Sequence, residues 1–435
     1  MKKIAIIGTG YVGLVSGAGL SDFGNTVICA DIDIEKINLL KNGEIPIYEP
    51  GLKEIVQRNV KAGRLFFSSD VSKSIRDCDV VFIAVGTPEG ENGTSDLSAV
   101  FDVARAIGEN LNGYKVICTK STVPIGTGVR IIEEIKNYSK SEKKFDYISN
   151  PEFLREGSAV KDFLWPDRVI IGASNQKAID MMKDVYRPLY INETPIIQTT
   201  IQTAELIKYA SNAFLAVKIS YINEIANICD EIGADVHVVS KAMGIDGRIS
   251  PKFLHPGPGF GGSCFPKDTK ALISTAEVLG INLKVVSGAI EANQTQKERM
   301  VKKLMKLMNN DVSGKNIAIL GLAFKAQTDD VRESPAIDMI DALLKNGAVV
   351  NAYDPESNAN MKKKFNDLNV FDSWEEAVKD ADCVAIMTEW NEFRGLDLAK
   401  LKELVKSPVI LDSRNILSNA DLESHGFKYD NVGRK

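Results

Sequence analysis

Histidine is scarce. The chain has three, His237, His255 and His425, too far apart in sequence to suggest a metal site built on imidazole. Six cysteines (Cys29, Cys78, Cys118, Cys229, Cys264 and Cys383) form no CxxC pair and no Cys/His cluster. A chain of 435 residues has no need of disulfides to fold. No metal is expected. The short apolar stretch after Lys2-Lys3 stops at Gly8, and no run approaches the roughly 20 apolar residues that span a bilayer. Neither sign of charge dominates: 53 Lys and Arg face 58 Asp and Glu, a net of -5. That balance gives no general attraction to nucleic acid or an anionic membrane, so an anionic ligand needs a local cluster of cations. A cytoplasmic protein without membrane or nucleic-acid partners is expected.

What is present is an ordinary globular composition, 44% hydrophobic and 26% charged, over a length that exceeds one hydrophobic core. The first part alternates strands and helices. Lys3–Ile7 reads as a strand, followed by a glycine turn, a helix to about Phe23, and strands at Thr26–Ala30, 80–85 and 115–118. That pattern implies a parallel sheet covered by helices on both faces. From about Thr203 the pattern becomes helical: 204–232 lacks Pro and Gly until Gly233, and 266–279 and 284–308 follow. The long helix reads equally as a dimer interface or as a helix buried between domains. Alternation resumes near Asp311, with strands at Asn316–Leu320, 348–353, 381–387 and 409–411 and a helix at 334–346. The fold class is α/β: two Rossmann-like doubly wound domains, 1–199 and 311–435, joined by a long central helix and α-helical connector, 200–310.

Gly8-Thr9-Gly10-Tyr11-Val12-Gly13 follows a strand and opens a helix. Its first glycine permits the tight turn, the second lets backbone approach a pyrophosphate, and the third allows close helix–strand packing. Asp31, about twenty residues on at the end of the second strand, completes the dinucleotide fingerprint. Its carboxylate suits a ribose diol and repels a 2′-phosphate, which favours NAD; Lys36 softens the repulsion. Thr87 and Thr122, at two later strand ends, are candidates to line the nicotinamide side.

Pro256-Gly257-Pro258-Gly259-Phe260-Gly261-Gly262-Ser263-Cys264-Phe265-Pro266-Lys267-Asp268 is the most unusual segment. Its glycines cost conformational entropy and suggest backbone wrapped closely around a ligand. Cys264 stands before Pro266, a favourable first-turn residue. A thiol at a helix start near Lys267 is expected to hold more thiolate, while Asp268 opposes that and asks for its own partner. The other five cysteines lie in or beside apolar runs and read as core. A dinucleotide site and an activated thiol suggest oxidation of an alcohol to an aldehyde. The thiol then captures the aldehyde, a second oxidation gives a thioester, and water releases an acid. A hydroxyacid dehydrogenase with one hydride transfer and no covalent step is the competing reading.

Met1–Gly13, Asn150-Pro151-Glu152-Phe153-Leu154-Arg155-Glu156-Gly157, the 257–268 loop, Phe324-Lys325 and Arg332-Glu333-Ser334 together resemble the UDP-glucose/GDP-mannose dehydrogenase family. The resemblance runs through nearly the whole chain. It implies Cys264 as nucleophile and Lys208 and Asn212, four apart on one helix face, as stabilisers of oxyanions. Asp268, with Lys208 and Thr122, would position water, and Glu152 would be the base for thioester hydrolysis. The cofactor would meet Gly8, Gly10, Tyr11, Val12, Gly13, Asp31, Lys36, Thr87, Thr122, Glu156 and Lys267. The sugar nucleotide would meet Phe153, Leu154, Lys208, Asn212, Phe253, Phe260, Gly261, Lys325 and Arg414. Arg248 would reach the site of a second subunit, which implies a homodimer through the central helix. Asp162-Phe163-Leu164-Trp165-Pro166-Asp167-Arg168-Val169 resembles the UDP-glucose branch more than the branches using GDP-mannose or UDP-N-acetylhexosamines, which remain alternatives. Ser250 stands where members commonly carry glycine.

Overall fold

The computed structural model describes residues 1–90, 93–140 and 144–434. Its chain divides into two compact units, Met1–Ser211 with Lys270–Leu279, and Asn212–Thr269 with Gly280–Lys435.

The first unit is built on an eight-stranded sheet: β1 (Lys3–Ile7), β2 (Thr26–Ala30), β3 (Leu65–Ser68), β4 (Val80–Ile83), β5 (Lys115–Thr119), β6 (Phe145–Ser149), β7 (Val169–Ala173) and β8 (Ile196–Thr199). The order is β3-β2-β1-β4-β5-β6-β7-β8. β1 and β4 are buried without alternation, as strands covered on both faces must be. One face packs on Leu14, Val15, Ala18 and Leu20 of the helix Tyr11–Asp22, the other on Val100, Val103 and Ile107 of the helix Ser98–Asn110. The sheet departs from the expected all-parallel pattern at one pair: β6 and β7 run antiparallel. The helix between them, Ala159–Leu164, has six residues, roughly 9 Å, too short to carry the chain back along the sheet for a parallel return. Residues 150–157 lie in this reversal.

The second unit holds a six-stranded sheet of β9 (Asn316–Leu320), β10 (Val349–Tyr353), β11 (Asn369–Val370), β12 (Cys383–Ile386), β13 (Val409–Asp412) and β14 (Lys428–Asn431). It is parallel throughout, in the order β11-β10-β9-β12-β13-β14. Both sheets therefore step outward from their first strand and then reverse to the other side, placing a switch point beside β1 in one and β9 in the other. Ligands of such sheets bind at that point, beyond the carboxyl ends of the strands. The long helix, Ile201–Ile232, contributes Ile222, Ala226 and Cys229 to the second core, against Met300 and Leu304 of the helix Lys284–Leu307. Among the described residues, no helix is long and apolar enough to cross a membrane.

Ser250 has φ 67, a left-handed conformation that costs an L-residue about 1–2 kcal/mol and that glycine adopts freely. That accounts for the glycine expected there from the family. Ser250→Gly should raise the second unit's stability by up to about 1 kcal/mol, net of the extra freedom glycine adds to the unfolded chain. A denaturant titration showing a loss would contradict this reading of the strain.

Candidate active site

The dinucleotide fingerprint folds as three different solutions to crowding. Gly8 has φ +103, and a Cβ there would lie 2.6 Å from the Ala84 carbonyl oxygen just beyond the strand across the switch point; one at Gly13 would lie 2.0 Å from the Gly8 oxygen. A Cβ on Gly10 would meet nothing within 4 Å, and no side chain caps the helix that starts there. An open approach to uncapped helix amides fits a pyrophosphate. Asp31 Oδ2 accepts from Thr9 N and Thr9 Oγ1, each at 2.7 Å, and Oδ1 from Asp33 N at 3.1 Å. Lys36 Nζ stands 3.7 Å from Oδ2. Partial burial pushes the Asp31 pKa up, but the Thr9 and Asp33 hydrogen bonds and the Lys36 charge outweigh it and hold the carboxyl below its ordinary value. The residues fit NAD.

Around this turn the structure binds groups the sequence left separate. Tyr11 donates its hydroxyl to buried Glu49, whose carboxylate also accepts from Gly157 N at 2.7 Å and Ala159 N at 2.8 Å. Glu49 thus ties the glycine turn to the 150–157 segment, and Glu156 is near enough to bear on the Tyr11 hydroxyl electrostatically. Val12 sits in the first turn of the same helix. Thr87 spends its hydroxyl on the Thr122 carbonyl at 2.9 Å, so it fastens two strand-end loops together.

Glu152 is buried, and its Oε1 accepts from Lys208 Nζ at 2.8 Å with both side chains about 5% exposed. Its other oxygen takes the Leu154 amide. The Phe153 ring lies 3.7 Å from the Arg168 guanidinium and 5.4 Å from Lys208 Nζ. Burial lowers the Arg168 pKa, and a cation against a ring face in such surroundings is well held.

In the second unit Cys264 is half-buried, immediately before the helix Phe265–Val278, whose first turn closes through Asp268 N to the Cys264 carbonyl at 2.8 Å. The other five cysteines are buried, as expected, and burial pushes the Cys29, Cys78 and Cys383 thiols up to about 12. Asp268 is buried and satisfied on both oxygens, by Asn212 Nδ2 and Lys267 Nζ, each at 2.7 Å.

The glycine loop is pinned by buried amides. Gly257 N donates to Asn223 Oδ1 at 2.8 Å, Gln296 Nε2 to the Gly257 carbonyl at 2.8 Å, and Asn293 bonds both the amide and the carbonyl of Phe260. Two of its glycines are required by neighbouring protein. A Cβ on Gly261 would lie 2.2 Å from the Glu333 carbonyl oxygen, and one on Gly262 (φ +82) 2.8 Å from the Phe324 ring. Phe253 (φ 64) and Phe260 flank Phe265 at 6.1 and 6.0 Å. Arg414, after β13, donates to the Met387 carbonyl at 2.8 Å and the Phe324 carbonyl at 2.7 Å and faces Glu389 at 3.2 Å. Lys325 lies 5.3 Å from the Phe324 ring centre. Arg248 is 89% exposed and forked onto Asp246.

Glu49, Asn223, Asn293 and Gln296 were missed from sequence. For the three amides the available signal was a polar residue on the apolar face of a helix; for Glu49 there was none.

A dinucleotide turn, a second doubly wound sheet and a thiol opening a helix describe a nicotinamide-dependent dehydrogenase. Three family descriptions match in order: the UDP-glucose/GDP-mannose dehydrogenase family NAD binding domain over residues 2–190, its central domain over 202–295 and its UDP binding domain over 318–419. UDP-glucose 6-dehydrogenase from Rhizobium meliloti (strain 1021) is 49% identical over 99% of both chains. UDP-glucose 6-dehydrogenase TuaD from Bacillus subtilis (strain 168) is 48% identical over 100% of this chain and 94% of its own. The structure of a UDP-glucose dehydrogenase from Pyrobaculum islandicum is similar at TM-score 0.93 and 34% identity, over 100% of this chain and 98% of that one. The chain belongs to the UDP-glucose/GDP-mannose dehydrogenase family.

Loss of the Asp31 carboxylate should weaken NAD binding about tenfold or more, as expected for hydrogen bonds to a charged group, and narrow the preference over NADP. Titration of Asp31→Ala with both cofactors reads this. An unchanged ratio would mean Asp31 does not face the ribose.

Proposed function

We propose that the protein oxidises UDP-glucose at C6 to UDP-glucuronate, with two NAD reduced and one water consumed per sugar. The observation that carries the reading is Cys264, a half-buried thiol at a helix start, held in a glycine loop pinned by amides from two helices. Identity of 49% to a UDP-glucose 6-dehydrogenase over the full length supports UDP-glucose over GDP-mannose or a UDP-N-acetylhexosamine.

Bound NAD supplies the electron acceptor for each oxidation; the chain's own residues do the rest. Gly8, Gly10, Val12 and Gly13 admit its pyrophosphate, Asp31 with Lys36 takes the ribose, and Tyr11, Thr87, Thr122, Glu156 and Lys267 complete the cofactor contacts. The Cys264 thiolate forms a C–S bond to the C6 aldehyde, and the carbonyl electron pair becomes an oxyanion. Lys208 and Asn212 stabilise that charge. Oxidation of the thiohemiacetal leaves a thioester. Water held by Asp268, Lys208 and Thr122 then attacks, with Glu152 taking its proton; the C–S bond breaks and the thiolate is restored. Phe153, Leu154, Phe253, Phe260 and Gly261 contact the sugar nucleotide, while Lys325 and Arg414 provide the local cations that the net charge lacks.

A homodimer through the central helix is supported by a stripe of exposed apolar side chains seven residues apart, Phe214, Tyr221 and Ile228, and Arg248 would serve the second subunit's site. Among the described residues no cysteine forms a disulfide, in keeping with a cytoplasmic location.

Cys264→Ser should bind UDP-glucose and NAD yet release no UDP-glucuronate, read by chromatography of the products; acid formed at the wild-type rate would remove the covalent step. Tyr221→Glu should shift the protein from dimer to monomer in sedimentation velocity. A wild-type protein that is already monomeric would end the dimer proposal.

A further inference from the structure

The first unit buries a lysine to which the chemistry above gives no role. Lys120 directly follows β5, two residues before Thr122, and is almost wholly buried. Its Nζ donates to Asn150 Oδ1 at 3.1 Å and to the Tyr186 hydroxyl at 3.3 Å, and it faces the rings of Phe163 and Tyr186 at 5.9 and 5.8 Å. These partners are all neutral: an amide, a phenol and two aromatic rings. A buried ammonium held by neutral groups is costly, and burial lowers the Lys120 pKa to about 8. Of the titratable groups that bear on it, Cys118 and Tyr186 are themselves pushed up by burial and stay neutral. The charged ones are Glu152, which favours the ammonium, and Lys208, which opposes it.

The clamp is well placed to matter. Asn150 Oδ1 also accepts from the Tyr186 hydroxyl at 2.7 Å, Asn150 Nδ2 donates to the Ile170 carbonyl at 2.7 Å, and Asn150 N donates to the Thr119 carbonyl at 2.9 Å. Glu152 follows two residues later. The backbone amides of Lys120 and Ser121 both donate to the Ile83 carbonyl, at 2.9 and 3.1 Å. One residue therefore braces the turn carrying Thr122 and the segment carrying Glu152.

We propose that Lys120 is a positioning residue for the oxidation: clamped on Asn150 and Tyr186, it sets the place of Glu152 and, as a second cation near that carboxylate, opposes the charge on Lys208. This rests on the functional reading above. With Lys120 protonated, two cations repel each other beside Glu152; once Lys120 loses its proton, that repulsion is gone.

Lys120→Met keeps the apolar stem and removes the charge. In this variant kcat for UDP-glucose should fall roughly tenfold or more, with KM nearly unchanged, because Glu152 is misplaced while the substrate is still bound as before. The inflection near pH 8 expected in the wild-type kcat profile from the Lys120 value should vanish. Thermal stability at neutral pH should not drop, because the buried charge is relieved. Any stability gain over wild type should shrink as pH rises from about 8 toward the ordinary lysine value near 10.4. Across that window the unfolded chain still binds the proton that folded Lys120 has released, so wild-type stability climbs. Wild-type kcat and pH profile in a folded variant would overturn the proposal. If Lys120→Met does not fold, Tyr186→Phe removes one partner of the ammonium and should move the inflection to lower pH; an unmoved inflection overturns it equally. A wild-type protein inert toward UDP-glucose would bring down the functional reading and this proposal with it, whereas a normally active Lys120→Met protein brings down this proposal alone.

Discussion

Two buried carboxylates, Glu152 and Asp268, are each held by a side chain of the same long helix: Glu152 by Lys208 and Asp268 by Asn212, at 2.8 and 2.7 Å. Taking a carboxylate out of water costs several kcal/mol unless its oxygens are satisfied; Lys208 satisfies one oxygen in the first unit and Asn212 one in the second. The glycine loop depends on the same element, since Asn223, one helical stretch further on, anchors Gly257. Removing Lys208 would take from buried Glu152 its ion-pair partner and leave it the Leu154 amide and the more distant Lys120 charge. The groups assigned to oxyanion stabilisation and proton transfer are thus also those that make their neighbours' burial tolerable.

The two sheets solve the same geometric problem and differ at the acid. Gly321 (φ +94) follows β9 as Gly8 follows β1, and each would drive a Cβ into the segment just beyond the strand across the switch point, at Thr388 in one and Ala84 in the other. Asp354, after β10, stands where Asp31 stands after β2. Asp354 is fully buried and accepts from Leu322 N, Ala323 N, Trp390 Nε1, Glu356 N and Ser357 N. Its oxygens are consumed by protein, while Asp31 keeps an accessible carboxylate beside Lys36. The same backbone therefore leaves an accessible carboxylate in one sheet and a structural knot in the other, which suits a chain with an NAD binding domain on one sheet and a UDP binding domain on the second.

The fold was legible where periodicity is long or glycine is forced. Lys3–Ile7 and Thr26–Ala30 appeared with their bounds, and the long helix to within a few residues, because apolar runs and an uninterrupted helical period leave few alternatives. β3, β6, β7, β8, β11 and β14 were not singled out; β7 is a short apolar run, Val-Ile-Ile-Gly-Ala, and the others are short and mix polar with apolar residues, as in Ile-Ile-Gln-Thr and Lys-Tyr-Asp-Asn. The antiparallel β6–β7 pair was invisible because orientation is set by the length of the intervening helix. At the site, the glycine fingerprint and Cys264 stood out from residue type and spacing alone. Lys208, Asn212 and Arg414 came only through family resemblance, since a lone Lys or Asn on a helix reads as solvated surface. Glu49 and Lys120 gave no signal: burial of a single charge is decided by tertiary partners distant in sequence, such as Gly157 for one and Tyr186 for the other.

Successive oxidations at one carbon are measured directly by the NADH formed per UDP-glucose consumed, with sugar limiting and the reaction run to completion. Two NADH per sugar is the predicted result. One per sugar would mean the reaction stops at the aldehyde, and the covalent role of Cys264 would have to be given up.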